Sequence, residues 1–183
     1  MADENLTRIH IRADGEYGSF YVLEGSEDRA DGDTRYWCEL TCNTSFGTVG
    51  YTWGNMGSPA TNFLSKVGRD YLLIKLWGTD HQVYDEEVAR KGLVDIVLRN
   101  RRDGDWDREK AREAYDDIAA SDLSSEGSYV AEVTSIGPVY AECLNGDPPS
   151  YKSDNPQALG FWKHLWPRFL AELAQRAEVT CHG

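Results

Sequence analysis

The cysteines and histidines of this chain could act as nucleophiles, bases or metal ligands, but their spacing matches no common site. The cysteines are Cys38, Cys42, Cys143 and Cys181, and the histidines are His10, His81, His164 and His182. Cys38 and Cys42 fall on one predicted strand, where four residues span about 13 Å, too far for a disulfide. Together with Cys181-His182 they match no zinc-binding spacing. We therefore expect no metal and no other cofactor.

Enzymatic motifs are also absent from the sequence. It contains no phosphate-binding loop, no dinucleotide fingerprint, no zinc-protease motif and no nucleophile elbow. The glycines at 47, 50, 54 and 57 are spaced as bends in a strand and a turn. We predict that the protein is not an enzyme. One enzymatic alternative stays open: a small cytosolic hydrolase or modifying enzyme that uses carboxylates or the pair Cys143 and His164.

Carboxylates dominate the charge of the chain. Among its 183 residues, 31 are acidic and 19 are Lys or Arg, a formal net charge of −12. Binding to nucleic acid needs a basic surface, so we expect no direct contact with nucleic acid. Residues 103–122 contain eight acids against three bases. Carboxylates three or four residues apart on a helix lie about 5–6 Å apart, close to the spacing of phosphates.

The acidic stretch is typical either of a solvated face that keeps the protein soluble or of a surface that imitates DNA and binds a basic groove, and we predict the second. A second acidic cluster lies between the second and third predicted strands. The predicted partner-binding residues are Asp103, Asp105, Asp107, Glu109, Glu113, Asp116 and Asp117, and secondarily Glu27, Asp28, Asp31 and Asp33. The partner would be a bacterial protein or ribonucleoprotein with a basic groove.

The first third of the chain must form the sheet that supports these surfaces. Strands are predicted at 5–12, 19–24, 34–43 and 46–53, because apolar and polar residues alternate there with period two. Short connections between consecutive strands favour an antiparallel meander. Tyr36, Cys38, Leu40 and Cys42 are expected on one face of the third strand.

The remainder predicts four to five helices packed on the sheet. Ser58 and Asp70 are predicted caps of the first helices, and Asp85 caps the third. The acidic stretch forms a helix from Asp105 to Ala120, with Ala111, Ala114, Tyr115 and Ile118 as its buried stripe. Gly137-Pro138 should interrupt a helix, and Pro167 should kink the last one or mark a new start. Trp53, Phe63 and Tyr71 are expected in the core. The predicted fold class is therefore α+β. We predict a single domain over 1–183, with a sheet part at 1–53 and a helical part at 58–177.

Two further expectations concern location. The N-terminus has no basic or apolar leader segment, and no apolar run approaches the roughly 18 residues of a membrane span. We therefore expect a cytoplasmic protein, with no membrane contact.

A family resemblance follows from the central residues. The runs Tyr51-Thr-Trp-Gly-Asn-Met-Gly57, Asp70-Tyr-Leu-Leu73 and Lys75-Leu-Trp-Gly78 resemble small acidic accessory proteins of phages and prophages, as do Ala111–Ile118 and Trp166–Leu170. Proteins of this kind include inhibitors of host defence, above all anti-CRISPR proteins. The resemblance implies a phage or prophage origin, and hence the cytoplasm of a bacterial host. Together with the acidic charge, the size and the absence of catalytic motifs, it predicts an inhibitor that binds a Cas complex and blocks recruitment of nucleic acid or nuclease. A phage structural or assembly protein is the further alternative.

Overall fold

The chain folds into two compact units. The computed structural model describes residues 3–30, 32–145 and 149–180. The first unit, called the sheet unit here, is Met1–His81 with Asp154–Gly183; the second, the helical unit, is Gln82–Ser153. The single-domain assignment stays a prediction.

The sheet unit contains the four-stranded antiparallel sheet that the sequence predicts. Its strands are β1 (Asp3–Ala13), β2 (Glu16–Asp28), β3 (Thr34–Thr44) and β4 (Gly47–Trp53), in the order β1-β2-β3-β4. Each strand pairs with the next one along the chain. The meander and the α+β class are confirmed, and β1 and β2 extend beyond their predicted ends.

One face of this sheet is the core of the unit. Ile9 pairs with Phe20, which pairs with Cys42, and all three side chains are buried. Cys38 and Leu40 lie on the same face and are also buried, as the alternation in β3 predicts. The opposite face of the sheet carries the residues between them in sequence.

Helices of the sheet unit cover the core face. These are α1 (Ala60–Leu64), α2 (Arg69–Trp77) and a continuous C-terminal helix made of α7 (Pro156–Gly160), a π-helical turn (Phe161–Leu165) and α8 (Trp166–Thr180). Leu64, Leu72, Phe161 and Phe169 from these helices are buried in the sheet core. A 3-10 turn at Gly78–His81 follows α2.

The π-helical turn is the form that the predicted distortion at Pro167 takes. Proline has no N–H to donate to the carbonyl four residues earlier, so a regular helix cannot continue through it. The five residues before Trp166 form a π-helical turn, and α8 begins at Trp166, directly before the proline. Asn155 caps the start of this helix by accepting a hydrogen bond from the Gln157 amide at 2.9 Å.

The helical unit has a core of its own. Its helices are α3 (Glu86–Asp103), α4 (Arg108–Ala120), α5 (Glu126–Ser135) and α6 (Gly137–Asn145). Asp85 caps α3 as predicted, and Gly104 ends it in the left-handed conformation. Two short strands, β5 (Gln82–Tyr84) and β6 (Lys152–Asp154), pair as a separate two-stranded sheet.

Several local predictions were wrong. The described residues hold seven helices rather than four or five, counting the continuous C-terminal helix as one. The interruption predicted at Gly137-Pro138 is present, between Ser135 and Gly137. Ser58 and Asp70 are not caps: Pro59 and Gly68 precede α1 and α2, and neither provides a side-chain cap. Tyr71 is 44% exposed rather than part of the core, whereas Trp53 is buried.

Candidate partner-binding surface

The acidic helix α4 is held in place by its start and by its inner face. Asp107 accepts a hydrogen bond from the Lys110 amide at 2.8 Å, so the helix begins at Arg108, three residues later than predicted. Trp106 lies just before the cap and is only 2% exposed. The inner face of α4 is formed by its buried residues Ala111, Ala114 and Ile118. The helix therefore has a fixed orientation in its unit.

The predicted stripe includes one error. Tyr115 was expected in the buried stripe, but it is 46% exposed. It lies one position beyond Ala114, on the flank of a helix whose apolar stripe is narrow. Sequence reasoning also missed Trp106, which anchors the start of α4 and lies 4.8 Å below the Lys110 ammonium.

The outer face of α4 is lined with exposed carboxylates. Glu109, Glu113, Asp116 and Asp117 are all exposed. Their spacing of four, three and one residues places them along one side of the helix. Among the described residues, no hydrogen bond or ion pair is formed by the carboxylates of Glu109, Glu113 or Asp117. We call these four residues the acidic face of α4.

Arginines neutralise part of this charge. Arg112 donates from Nε to Asp116 Oδ2 at 2.9 Å, and this hydrogen bond, followed by the charge of Asp116, raises the pKa of Arg112. Arg102 similarly pairs with Asp103 at 3.1 Å. Asp105 is exposed in the α3–α4 connection. The free negative charge of the helix is therefore concentrated on Glu109, Glu113 and Asp117.

The acids of the secondary cluster mainly contact residues of their own hairpin, β2–β3. Asp28 accepts a hydrogen bond from the Thr34 hydroxyl, and Asp33 accepts one from the Thr34 amide, both at 3.0 Å. Glu27 lies 3.9 Å from Arg35. These contacts close the β2–β3 connection. Asp31 lies outside the described residues.

The structure gives no support for activation of Cys143 as a nucleophile. Cys143 belongs to the helical unit, where burial, and then the charge of Glu142, raise the pKa of its thiol. His164 belongs to the sheet unit and stacks on Phe46, with ring centroids 6.2 Å apart. A raised thiol pKa lowers the fraction of reactive thiolate. The hydrolase alternative stays a prediction that nothing here tests.

The other cysteines are buried thiols. Cys38 and Cys42 are free, and burial raises the pKa of both thiols, that of Cys38 to about 12. The predicted absence of a disulfide between them agrees with this. Cys181 and His182 lie outside the described residues. Within the described ranges, no group of three or more His, Cys, Asp and Glu side chains could hold a metal ion.

The described helices also give one result on membrane topology. None of them is both long and apolar enough to cross a bilayer.

These features define an acidic α+β protein with a row of exposed carboxylates on one helix. A family model described as a phage family, Phage_phiTE_072, matches residues 38–175, roughly three quarters of the chain. The chain belongs to this phage protein family. The match includes α4 and begins only at the middle of β3, so β1 and β2 lie outside it. No curated protein and no solved structure matches the chain.

Proposed function

We propose that this phage protein is a non-catalytic inhibitor of a bacterial defence system. It binds a Cas complex through the acidic face of α4 and blocks recruitment of nucleic acid or of a nuclease. The observation that carries the proposal is the row of exposed carboxylates at 109, 113 and 117 on a helix whose other side is packed into a core. Membership of a phage family supports a role against a bacterial partner.

Rigid presentation matters for this role. A carboxylate row on a mobile tail would lose conformational entropy on binding. On α4 the backbone of Glu109, Glu113 and Asp117 is already ordered, and Trp106 and Ile118 secure both ends of the helix. The groove of a protein that binds nucleic acid is lined by Lys and Arg that normally contact phosphates. A helix with carboxylates about 6 Å apart offers those cations an alternative set of anions.

The same electrostatics predict how the complex forms. Opposite charges on two surfaces accelerate association at low salt, and screening reduces this acceleration at high salt. The net charge of −12 adds a long-range attraction to any basic partner. We expect the association rate to fall with ionic strength more strongly than the dissociation rate rises.

The experiment is a pull-down of the tagged chain from a bacterial host that carries a Cas system, followed by mass spectrometry. The test variant is Glu109→Lys/Glu113→Lys/Asp117→Lys. A matched control, Glu4→Lys/Asp80→Lys/Glu172→Lys, makes the same change in charge at three exposed acids elsewhere. We expect a stoichiometric Cas complex with the wild type and the control, and its loss with the test variant.

Two results would contradict the proposal. Recovery of the Cas complex with the test variant would show that the acidic face is not the binding surface. Absence of any Cas protein from the wild-type pull-down would remove the proposed target. A third set of substitutions, Glu27→Lys/Asp28→Lys/Asp33→Lys, separates the primary surface from the secondary cluster.

A further inference from the structure

The solvent face of the sheet contains a region that differs from the rest of this acidic chain. On β1, Arg8, His10 and Arg12 alternate with the buried residues and are exposed. The register places them beside residues of β2, β3 and β4 on the same face. The ten positions are Arg8, His10, Arg12, Tyr17, Ser19, Tyr21, Thr41, Asn43, Thr48 and Gly50. We call this set the basic face of the sheet.

The ten positions of the basic face include two arginines and a histidine and no carboxylate, and Glu39 lies on the same side of the sheet in the row next to Tyr21 and Thr41. The acid of the adjoining β1–β2 turn, Asp14, is paired with Arg168 at 2.6 Å. Arg176 lies next to the edge strand, since its Nη1 donates to the carbonyl oxygen of Arg8 at 2.8 Å. The ten positions themselves therefore carry a positive formal charge, with Glu39 and Glu16 at their border, although the chain as a whole carries −12.

Aromatic rings lie between these cations. Arg12 pairs in register with Tyr17, which is 52% exposed, and Arg8 pairs with Tyr21. The guanidinium of Arg8 lies over the Tyr21 ring, 5.6 Å from its centroid. Tyr17 and Tyr21 are four residues apart on one strand, which separates them by about 13 Å on the same face. The face thus offers one open ring and one guanidinium plane to a ligand.

The remaining positions of the face are small or neutral. His10 Nδ1 and Ser19 Oγ form a hydrogen bond of 2.9 Å, which fixes the orientation of the imidazole. Asn43 and Thr48 lie in the same row of the sheet and are exposed. In the next row the β4 residue is Gly50, which has no side chain. A Cβ at this position would lie 2.9 Å from the Leu40 carbonyl oxygen. An extended ligand can therefore cross β3 and β4 close to the backbone.

We propose that the basic face of the sheet binds single-stranded nucleic acid. Its bases would stack on Tyr17 and on the Arg8 guanidinium, and its phosphates would pair with Arg8 and Arg12. In a duplex the bases are stacked on one another and are therefore not available to stack on the exposed ring of Tyr17. The proposal is independent of the inhibitor proposal, because the two surfaces share no residue. It also departs from the expectation drawn from net charge, which averages over the chain and hides a local basic region.

Fluorescence anisotropy with a labelled single strand of about 12 deoxythymidines tests the proposal. Oligouridine and a duplex of equal length serve as further probes. We expect binding to both single strands and at least tenfold weaker binding to the duplex. With two phosphate contacts, raising the salt from about 50 to about 200 mM should weaken binding roughly sevenfold.

Two pairs of variants localise the site. Arg8→Ala/Arg12→Ala should abolish most of the salt dependence, whereas Arg101→Ala/Arg108→Ala removes equal charge from exposed positions of the helical unit and should leave binding intact. Tyr17→Ala should weaken binding about 5- to 150-fold through the loss of one stacked base. Its control is Tyr115→Ala, another exposed tyrosine. Circular dichroism establishes that each variant is folded.

Three outcomes would overturn the proposal. The first is a wild-type affinity equal to that of Arg8→Ala/Arg12→Ala. The second is an equal loss in the Arg101→Ala/Arg108→Ala control, which would mean diffuse attraction to the chain. The third combines two results: light scattering shows a wild-type dimer that becomes monomeric in Arg8→Ala/Arg12→Ala, and neither form binds the oligonucleotides. The basic face would then be the contact surface for a second copy of the chain.

Discussion

The indole Nε1 of Trp53 donates a hydrogen bond to the phenolic oxygen of Tyr71 at 3.0 Å. This bond joins the last strand of the sheet to α2. Trp53 is 5% exposed, so its N–H depends on a protein partner. Tyr71 is largely exposed and provides that partner from the rim of the core.

Tyr71→Phe is expected to destabilise the sheet unit by about 1–2 kcal/mol, because the buried N–H of Trp53 loses its acceptor. Urea unfolding followed by tryptophan fluorescence measures the change. Tyr140→Phe is the control, since no hydrogen bond of the Tyr140 hydroxyl to the described residues is present and its side chain is 38% exposed. Equal midpoints for Tyr71→Phe and wild type would contradict the role given to this bond.

Gly160→Ala is expected to destabilise the chain by about 1–3 kcal/mol, because the added methyl group would overlap the Phe46 ring at the start of the π-helical turn. Gly137→Ala tests the same chemical change in a helix where no atom lies within 4 Å of the new Cβ. Thermal unfolding of both variants makes the comparison. Equal shifts of the two midpoints would show that close packing against Phe46 is not the reason for glycine at position 160.

Asp85→Ala is expected to lower the stability of the helical unit at neutral pH. Asp85 accepts hydrogen bonds from the amides of Val88 and Glu87, and the first of these, with Ser153, lowers the pKa of its carboxyl below 3.8. A lowered folded-state pKa contributes stability above the unfolded-state value, and this contribution is lost as the pH falls through the folded-state pKa.

The difference between wild type and Asp85→Ala should therefore shrink as the pH falls below about 3.8. Urea midpoints at neutral and acidic pH measure it. Asp95→Ala removes an exposed acid from the interior of the same helix and should not show this dependence. A pH-independent difference for Asp85→Ala would mean that the ionised cap is not what stabilises α3.

Cys38 and Cys42 are expected to resist thiol reagents in the native protein. Burial raises the pKa of both thiols, that of Cys38 to about 12, so both are protonated near neutral pH and inaccessible. In a Cys181→Ser background, Cys143 should react first because it is only half-buried. Labelling with and without denaturant, read by mass spectrometry, distinguishes the sites. Rapid native labelling of Cys38 would contradict the packing of β3.

The predictions that proved correct rest on patterns between residues close in sequence. The alternation of Cys38, Leu40 and Cys42 with polar residues depends only on the pleat of a strand, and it gave the buried face correctly. Asp85 was identified as a cap because a cap is a contact between residues two or three apart. The acidic face of α4 likewise follows from helical spacing within one short stretch.

Contacts between distant residues could not be obtained in this way. Tyr71 looked like a core residue because its neighbours in α2 are apolar, yet its position at the rim depends on where β4 and Trp53 lie. The start of α2 after Gly68 rather than after Asp70, and the π-helical turn before Pro167, are also decided by how those segments pack on the sheet. Local propensity is a weak guide when tertiary packing chooses between alternatives.

The sequence by itself determined an α+β fold, an antiparallel meander and an exposed acidic helix, since each of these rests on a short period or on consecutive elements. Only the tertiary structure decided which residues share the solvent face of the sheet. Arg8 meets Tyr21, and Arg12 meets Tyr17, because the register of β1 on β2 places them opposite each other. Register is a non-local property: a shift of one residue would move every side chain of a strand to the other face.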